Sequence, residues 1–215
     1  MKKIKAVIFD LDGTLANTLP MCIKAFRAAV EPLINRNVSD EEIIATFGPS
    51  EEGTIQALAP DFYDEGVAKY LHHYNEFHDM CPDVFDGIKL LLKTLQNKHI
   101  RIAMVTGKGK LSADISLDKF GITDYFEWIE TGMPSGPRKP EGIQQILEKW
   151  PDLKHDELIY VGDAPSDITA CRQVGIPIVA AAWAETAEPQ LLEPLQPDQL
   201  FYTVPAFADW LYSAI

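Results

Sequence analysis

Residues 4–14 read IKAVIFDLDGT, and this stretch sets how the rest of the chain is organised. The run from Ile4 to Phe9 is mostly apolar and rich in β-branched residues, which is typical of a short buried strand. The run stops where Asp10 and Asp12 alternate with leucine ahead of Gly13, a composition that favours a turn. We therefore predict a strand that carries two carboxylates at its carboxyl end.

Beyond this strand, the pattern of the chain changes twice. From Thr18 to about Met80 the signals are helical, including a capping box that begins at Ser39, and no strand is predicted there. From residue 86 onward, helix and strand patterns alternate. Strands are predicted over residues 100–105, 125–129, 158–161 and 177–181. Helices are predicted over residues 88–96, 112–120, 141–150 and 166–174, the first of them capped by Asp86.

Alternating strands and helices predict a parallel sheet, because parallel strands need crossover connections that place helices on the two faces. We expect an α/β fold with a Rossmann-like core formed by residues 1–15 and 84–215. A small all-helical cap domain, residues 16–83, is inserted after the first strand. The proline-rich stretch 189–205 is predicted to be a surface connection that precedes a short final helix.

Composition excludes several function classes. The 215 residues include 19 Lys and Arg against 32 Asp and Glu, a net charge of −13, so a nucleic-acid partner is not expected. The longest weakly polar stretch, residues 174–184, falls short of the roughly 18 to 20 residues that cross a bilayer, so we expect no membrane span. Cys22, Cys81 and Cys171 lack paired spacing, which favours a reducing, cytoplasmic location over disulfides or a thiolate zinc site.

Polar residues follow three of the predicted strands. The first strand leads into Asp10 and Asp12, the second into Thr106-Gly107, and the third into a segment, residues 162–167, that holds two further aspartates. The carboxyl ends of parallel strands meet at one edge of the sheet. Two charges 4 Å apart repel by about 4 kcal/mol at an effective dielectric constant of 20, so this cluster of carboxylates needs a cation. Hard oxygen ligands without a nearby histidine or thiolate select magnesium over zinc.

These motifs, taken in order, resemble those of the haloacid dehalogenase superfamily. The matching residues are Asp10-Leu11-Asp12-Gly13-Thr14, Thr106, Lys139-Pro140, and Gly162-Asp163 with Asp167. The resemblance extends over nearly the whole chain. The helical insertion is similar to the cap of the subgroup that contains phosphoglycolate phosphatases, small pyrophosphatases and β-phosphoglucomutase.

The resemblance implies a role for each matching residue. Asp10 is expected to be the nucleophile and Asp12 the general acid and base, while Thr106 and Lys139 hold the phosphoryl oxygens. A carboxylate suits the first role, because forming an aspartyl-phosphate splits one difficult displacement into two easier ones. A second carboxyl group two residues further on can exchange protons with the leaving oxygen and with water.

The resemblance also implies a magnesium site. Asp163 and Asp10 are expected to hold Mg²⁺ together with the backbone carbonyl of Asp12, and Asp167 is expected to support these ligands. The third motif departs from the family pattern, because Lys139-Pro140 is followed by Glu-Gly and preceded by Arg138. Which of the two cations reaches the phosphate is therefore left open.

Two further positions, Gly107 and Asn17, depart from the family pattern. Gly107 stands where the family often has asparagine, so it is expected to offer the substrate only a backbone N–H. Asn17 stands where many relatives carry aspartate.

In the insertion, Gly48-Pro49-Ser50 is similar to the cap loop that faces the active site in phosphatase relatives, which makes Gly48 and Ser50 candidate substrate contacts. The same tripeptide also fits a turn in which Ser50 caps the next helix.

Two weaker patterns carry no site. His72, His73 and His78 are predicted to lie on a solvated helix surface, because no two of them have the i, i+4 spacing of a helical zinc motif. The run of residues 107–110, Gly-Lys-Gly-Lys, lacks the spacing of a nucleotide-binding loop.

The expected function is that of a magnesium-dependent, phosphoglycolate phosphatase-like enzyme that hydrolyses a small phosphorylated metabolite through an aspartyl-phosphate. Retention of Asp12 argues against the dehalogenases and phosphonate-cleaving members. One alternative is a phosphomutase similar to β-phosphoglucomutase. Another is a non-catalytic relative that binds a phosphorylated ligand or a partner protein. The chain is expected to be a monomer or a homodimer.

Overall fold

The computed structural model describes residues 3–215 and contains one sheet of six parallel strands. In spatial order the strands run β3-β2-β1-β4-β5-β6. Their bounds are β1 Ala6–Phe9, β2 Arg101–Val105, β3 Trp128–Glu130, β4 Leu158–Gly162, β5 Ile178–Ala181 and β6 Gln199–Phe201. The predicted α/β fold with a parallel sheet is confirmed.

Ten α-helices accompany the sheet in the described part of the chain. Four of them form the insertion that follows β1: α1 Leu19–Ile34, α2 Asp40–Ile44, α3 Glu51–Leu58 and α4 Tyr63–Glu76. The other six are α5 Ile88–Asn97, α6 Lys110–Phe120, α7 Lys139–Lys149, α8 Pro165–Val174, α9 Pro189–Leu192 and α10 Val204–Ala214. Within residues 3–215, no helix combines the length and the apolar character that a membrane span requires.

Strand β1 lies at the centre of the sheet, and its register positions the site. Phe9 pairs with Met104 of β2 on one side and with Val161 of β4 on the other. The residues that follow β1, β2 and β4 therefore emerge next to one another at one edge of the sheet. This arrangement brings together the three sequence segments that were expected to carry the chemistry.

The sheet is covered on both faces because alternate residues of β1 point in opposite directions. Val7 and Phe9 are fully buried in an apolar cluster that also contains residues of α5 and α10, such as Phe207. Ala6 and Ile8 are fully buried in a second cluster that includes residues of α7 and α8. A strand that is apolar on both faces accounts for the almost unbroken apolar run in the sequence.

The insertion has its own apolar centre. Helices α1 and α4 pack together, and the rings of Phe26 and Tyr70 stack with their centroids 4.2 Å apart. The predicted capping box is present, since Ser39 and Glu42 exchange side chain-to-backbone hydrogen bonds at the start of α2. The segments that lead into and out of the insertion run side by side, with the Phe85 N–H donating to the Leu15 carbonyl at 2.9 Å.

Four sequence expectations about secondary structure need correction. The stretch 189–205 is not merely a surface connection, because it contains α9 and the edge strand β6, which pairs with β5. The final helix, α10, has 11 residues rather than being short. Strand β3 begins at Trp128 because the preceding residues 123–125 form a 3₁₀ turn. Gly87, with φ of 88°, precedes α5 in the N-cap position that was assigned to Asp86.

Candidate active site

Asp10 is the first residue beyond β1, and it is almost fully buried. Its Oδ1 accepts a hydrogen bond from the Leu11 N–H at 2.7 Å, and its Oδ2 accepts one from Lys139 Nζ at 2.5 Å. Burial raises the pKa of Asp10 to about 6, although the Lys139 charge opposes this rise. The charged form of Asp10 therefore depends on positive charge placed beside it.

Asp10 belongs to a cluster of three carboxylates. One oxygen each from Asp10, Asp163 and Asp167 lies within 4.8 Å of the others. Burial and the neighbouring charges of Asp10 and Asp167 raise the pKa of Asp163 well above its usual value. Asp167 is fully buried, and its two oxygens accept hydrogen bonds from Lys139 Nζ at 2.6 Å and from the Ala164 N–H at 2.9 Å.

This cluster fits a hard divalent cation. Three carboxylates face a single ammonium, that of Lys139, so negative charge is in excess where the oxygens meet. Gly13 leaves room for Asp163, because a Cβ at this position would lie 2.0 Å from Asp163 Oδ2. The φ of Gly13, +73°, also favours glycine.

Lys139, rather than Arg138, faces the carboxylates. Lys139 is the first residue of α7, and Pro140 follows it in the first turn, where its missing N–H costs no helical hydrogen bond. The Arg138 guanidinium instead donates to the Thr131 carbonyl at 3.3 Å and to the side chain of Gln145 at 3.2 Å. Of the two cations that the third motif offers, Lys139 is therefore the one that contacts the carboxylates.

Thr106 and Gly107 follow β2 and line the same cavity as Asp10. Thr106 is buried, and its N–H donates to the Glu130 carbonyl at 3.0 Å, which continues the pairing of β2 with β3. Its Oγ1 accepts a hydrogen bond from the Lys108 N–H at 3.3 Å. The hydroxyl is therefore fixed at the edge of the sheet beside the carboxylates.

Asp12 lies between the sheet and the insertion. Its Oδ1 accepts a hydrogen bond from the Thr18 hydroxyl, which stands just before α1, and its Oδ2 lies 3.4 Å from Lys108 Nζ. The neighbouring Asn17 accepts a hydrogen bond from the Thr186 hydroxyl at 3.3 Å. The hydrogen bonds from Thr18 to Asp12 and from Thr186 to Asn17 connect the start of the insertion to the edge of the sheet.

Lys108 is a site residue that the sequence interpretation missed. Its side chain is only 1% exposed, and its Nζ lies 3.3 Å from Asp12 Oδ1 and 3.0 Å from Glu51 Oε1. The ammonium also sits 4.5 Å above the centre of the Tyr74 ring. Burial opposes the charged form, but the negative groups around the ammonium, Asp12 first among them, raise the pKa of Lys108 well above its usual value. The available signal was the position of Lys108, two residues after Thr106.

A single cavity of about 790 Å³ joins these residues to the insertion. The sheet edge contributes the polar wall described above, and the insertion contributes a largely apolar wall. Residues of the insertion that line the cavity are Leu19, Cys22, Phe26, Phe47, Gly48, Pro49, Glu51, Thr54 and Tyr70.

Only part of the candidate cap loop, Gly48-Pro49-Ser50, lines this cavity. Gly48 lines it, but Ser50 does not. The Ser50 hydroxyl donates to Glu52 Oε2 at 2.5 Å, and the Ser50 N–H donates to the Met133 carbonyl at 3.0 Å. Ser50 precedes α3 without a side-chain capping bond, so the alternative that its hydroxyl caps this helix is wrong. Glu51, the next residue, faces the cavity instead.

The three histidines differ in environment. His72 is exposed and His73 is half-buried, with its Nδ1 3.2 Å from Glu76 Oε2. His78 is buried, so its predicted place on a solvated surface is wrong. It lies in a 3₁₀ turn after α4, where its Nε2 is 3.2 Å from Ser116 Oγ and its ring packs on Phe120.

With this geometry established, comparison with known proteins identifies the family. The family model described as haloacid dehalogenase-like hydrolase matches residues 7–181. The chain therefore belongs to the haloacid dehalogenase-like hydrolases, a family whose members generally use a divalent metal. The predicted membership and the prediction of an enzyme of the phosphatase type are both confirmed.

Individual relatives and solved structures are similar to this chain over most of its length. The chain is 31% identical over 192 residues to "Pyrophosphatase PpaX" of Bacillus pumilus, a match that spans 88% of each protein. A crystal structure of a predicted phosphoglycolate phosphatase from Haemophilus somnus superposes with a TM-score of 0.78 at 22% identity, covering 100% of both chains. A Thermotoga maritima structure described as a candidate β-phosphoglucomutase superposes with a TM-score of 0.75 at 19% identity, covering 99% of this chain and 100% of that one. The two structures show that the fold is shared.

Proposed function

We propose that the protein is a magnesium-dependent phosphatase that hydrolyses a small phosphorylated metabolite through an aspartyl-phosphate on Asp10. One observation carries this proposal. Asp10 is buried at the carboxyl end of the central strand, in contact with Lys139 and clustered with Asp163 and Asp167, and it lines a cavity large enough for a small ester. Membership of the haloacid dehalogenase-like hydrolases and similarity to a pyrophosphatase support the proposal.

In the first step, a carboxylate oxygen of Asp10 attacks phosphorus and the bond from phosphorus to the leaving oxygen breaks. Asp12, in its protonated form, gives its proton to that oxygen, so the product leaves as an alcohol. In the second step, Asp12 takes a proton from water as the water oxygen attacks phosphorus and the bond from phosphorus to the Asp10 oxygen breaks. Inorganic phosphate is released, and Asp10 is free again.

Positive and hydrogen-bonding groups offset the charge of the transferring phosphoryl group. In this proposal, Lys139, the Thr106 hydroxyl and the Gly107 N–H face the phosphoryl oxygens. Asp10, Asp163 and the backbone carbonyl of Asp12 would hold Mg²⁺. When bound, the ion supplies charge neutralisation that a single lysine cannot provide for three carboxylates.

Asp167 has a supporting role in this scheme. Both of its oxygens already accept hydrogen bonds, one from Lys139 and one from the Ala164 N–H. Asp167 therefore orients Lys139 and adds negative charge beside the metal ligands.

We also propose that residues 1–15 and 84–215 act as the catalytic core and residues 16–83 as a cap that selects the substrate. The core wall offers groups that recognise a phosphoryl oxygen or a cation, and these groups are common to all phosphate esters. The cap wall, which includes Gly48, Phe26 and Phe47, faces the remainder of the substrate. The two adjacent connections, near Ala16 and Phe85, would let the cap move as a lid.

The experiment that tests this function is a phosphate-release assay on a panel of phosphorylated compounds, with magnesium and with a chelator. The panel includes phosphoglycolate and pyrophosphate, the substrates in the relatives' names, together with an aryl phosphate. We expect release that requires magnesium. A parallel incubation with β-glucose 1-phosphate and a bisphosphate activator tests the mutase alternative. Glucose 6-phosphate formation much faster than phosphate release would overturn the hydrolase proposal.

A further inference from the structure

The Glu51 carboxylate accepts hydrogen bonds from a group of donors beside the cavity. Glu51 is the first residue of α3, and its side chain is 11% exposed. Its Oε1 lies 3.0 Å from Lys108 Nζ and accepts a hydrogen bond from the Ser112 hydroxyl at 2.5 Å. Its Oε2 accepts one from the Gly109 N–H at 2.5 Å. The Tyr70 hydroxyl, 3.4 Å away, is a fourth donor.

These donors are of the kind that binds an anionic group of a ligand. Gly109 is the N-cap residue of α6 and Ser112 lies in the first turn, where free N–H groups and the helix dipole attract negative charge. Lys108 adds a buried ammonium. The Glu51 carboxylate itself binds to these donors, where an anionic group of a ligand could otherwise bind. The donors are therefore satisfied by the protein before any substrate arrives.

No other cation in the cavity lining is available for a second anionic group. Among the lining residues that the structure describes, the only basic ones are Lys108 and Lys139. Lys108 is shared between Asp12 and Glu51, and Lys139 contacts Asp10 and Asp167. The acidic lining residues are Asp10, Asp12, Glu51, Glu141 and Asp163.

The remaining cap wall is largely apolar. Leu19, Phe26, Phe47 and Pro49 line it, and the cavity of about 790 Å³ leaves room for a leaving group larger than the phosphoryl group. An apolar wall with one carboxylate suits a leaving group that is neutral or carries an amine. A carboxylate or second phosphate on the leaving group would lose its hydration and meet the Glu51 charge.

We infer that Glu51 is a specificity-determining residue that makes the enzyme select phosphate monoesters whose leaving group is uncharged or cationic. Esters with a second anionic group are disfavoured, because Glu51 occupies the donors that such a group would need. This inference rests on the proposed phosphatase function and narrows its substrate class. Glu51 acts on the distal part of the substrate and takes no part in bond breaking.

The test uses three small esters of similar size that differ in distal charge. These are phosphoglycolate, which carries a carboxylate, ethylene glycol monophosphate, which is neutral at that end, and phosphoethanolamine, which carries an amine. For the wild-type protein with magnesium, we expect kcat/KM for the neutral and cationic esters to exceed that for phosphoglycolate by about tenfold or more. Because this measurement needs no variant, a wild-type preference for phosphoglycolate overturns the inference directly.

The same series with Glu51→Gln separates the charge from the shape of the side chain. Glutamine keeps an oxygen that can accept the hydrogen bond from Gly109, and it removes the repulsion. We expect the preference against phosphoglycolate to shrink about tenfold, chiefly through a gain with phosphoglycolate. Glu51→Asp keeps the charge and should keep the order of the three esters.

Glu65→Gln is the matched control, because Glu65 lies on the exposed side of α4 and pairs with Lys69 at 3.4 Å. It should leave the order and the ratios unchanged. An equal change in kcat/KM for all three esters in Glu51→Gln would mean that Glu51 only holds the cap in place, and would overturn the inference. Phosphate release in a reversed order contradicts this inference alone, whereas absence of release from every ester, including an aryl phosphate, contradicts the phosphatase proposal itself.

Discussion

The two ends of the active-site cavity are built in different ways. At the core end, defined by Asp10, Asp163 and Lys139, the two aspartates directly follow neighbouring parallel strands, and the lysine begins a helix that packs on the sheet. At the cap end, defined by Glu51, Phe26 and Phe47, the side chains come from an insertion with its own apolar centre. The backbone of the sheet fixes the first group of residues, and helix packing within the insertion fixes the second.

The two ends also differ in charge balance. At the core end, three carboxylates meet around one ammonium, and burial raises the pKa of Asp10 to about 6. At the cap end, the Glu51 carboxylate has an ammonium and three hydrogen-bond donors of its own. The core end is therefore suited to bind a cation and a phosphoryl group together, whereas the hydrogen-bond donors at the cap end are already occupied by Glu51. In the function proposed above, the core end therefore carries out the chemistry and the cap end selects the substrate.

Asp10→Asn has the largest expected effect and tests the core end. The substitution keeps the shape of the side chain and removes the charged nucleophile, so we expect turnover of an aryl phosphate to fall by about 10³-fold or more. The measurement is steady-state phosphate release with saturating magnesium. Asp61→Asn, at an exposed cap position, is the control and should retain full turnover. Near wild-type turnover in pure Asp10→Asn protein would exclude covalent catalysis at this residue.

Asp163→Ala tests the metal assignment of the core end. Loss of one carboxylate ligand should raise the magnesium concentration for half-maximal activity by about 10- to 100-fold and lower the maximal rate. A magnesium titration of the rate measures both quantities. His72→Ala and His73→Ala alter the other cluster of metal-ligating side chains in the described residues, and both should behave as wild type. A zinc-dependent activity that these histidine changes abolish would reverse the assignment.

The difference between the two ends also determines what the sequence could predict. Asp10, Thr106 and Asp163 could be placed together because each directly follows a strand with a clear apolar pattern, and strand ends in a parallel sheet share an edge. Lys139 was found through its family motif, and its direction relative to Arg138 needed the structure. The core end was therefore largely predictable.

The cap end was less predictable because tertiary packing decides which side chains face the cavity. Glu51 and its neighbour Ser50 are both polar, so the sequence does not show which of them faces the cavity. The packing of the start of α3 against the start of α6 determines that Glu51 faces inward. Lys108 and His78 are charged or polar residues that packing buries, contrary to their usual preference. Strand β6 escaped prediction because three half-buried residues at a sheet edge carry too short a pattern.

Lys108→Met tests the connection between the two ends. Lys108 supplies the ammonium that Asp12 and Glu51 share, so its loss leaves the largely buried Glu51 and the partly exposed Asp12 without their common partner. We expect the free energy of unfolding to fall by about 3 kcal/mol, as measured by urea denaturation. The same substitution in a Glu51→Gln background should cost less, because one of the two charges is gone. Equal costs in both backgrounds would show that Lys108 and Glu51 do not interact.

Gly48→Ala has the smallest expected effect and sharpens the assignment of substrate choice to the cap. Gly48 has φ of +137°, and a Cβ there would lie 3.1 Å from Pro137, another cavity-lining residue. We expect the relative kcat/KM values across a panel of esters to change by a few fold while the magnesium requirement stays the same. Ser50→Ala is the neighbouring control and should preserve the ranking, because Ser50 does not line the cavity. A change in magnesium requirement with no change in ranking would contradict the division between the two ends.

The central claim is that the phosphoryl group passes through Asp10 before it reaches water. The stereochemical course at phosphorus tests this most directly, using a phosphorothioate ester made chiral with oxygen isotopes and hydrolysed in water of a third isotope. Each in-line displacement inverts the configuration, so transfer to Asp10 and then to water predicts net retention. Net inversion would show that water attacks the substrate in a single step, and would contradict the aspartyl-phosphate mechanism.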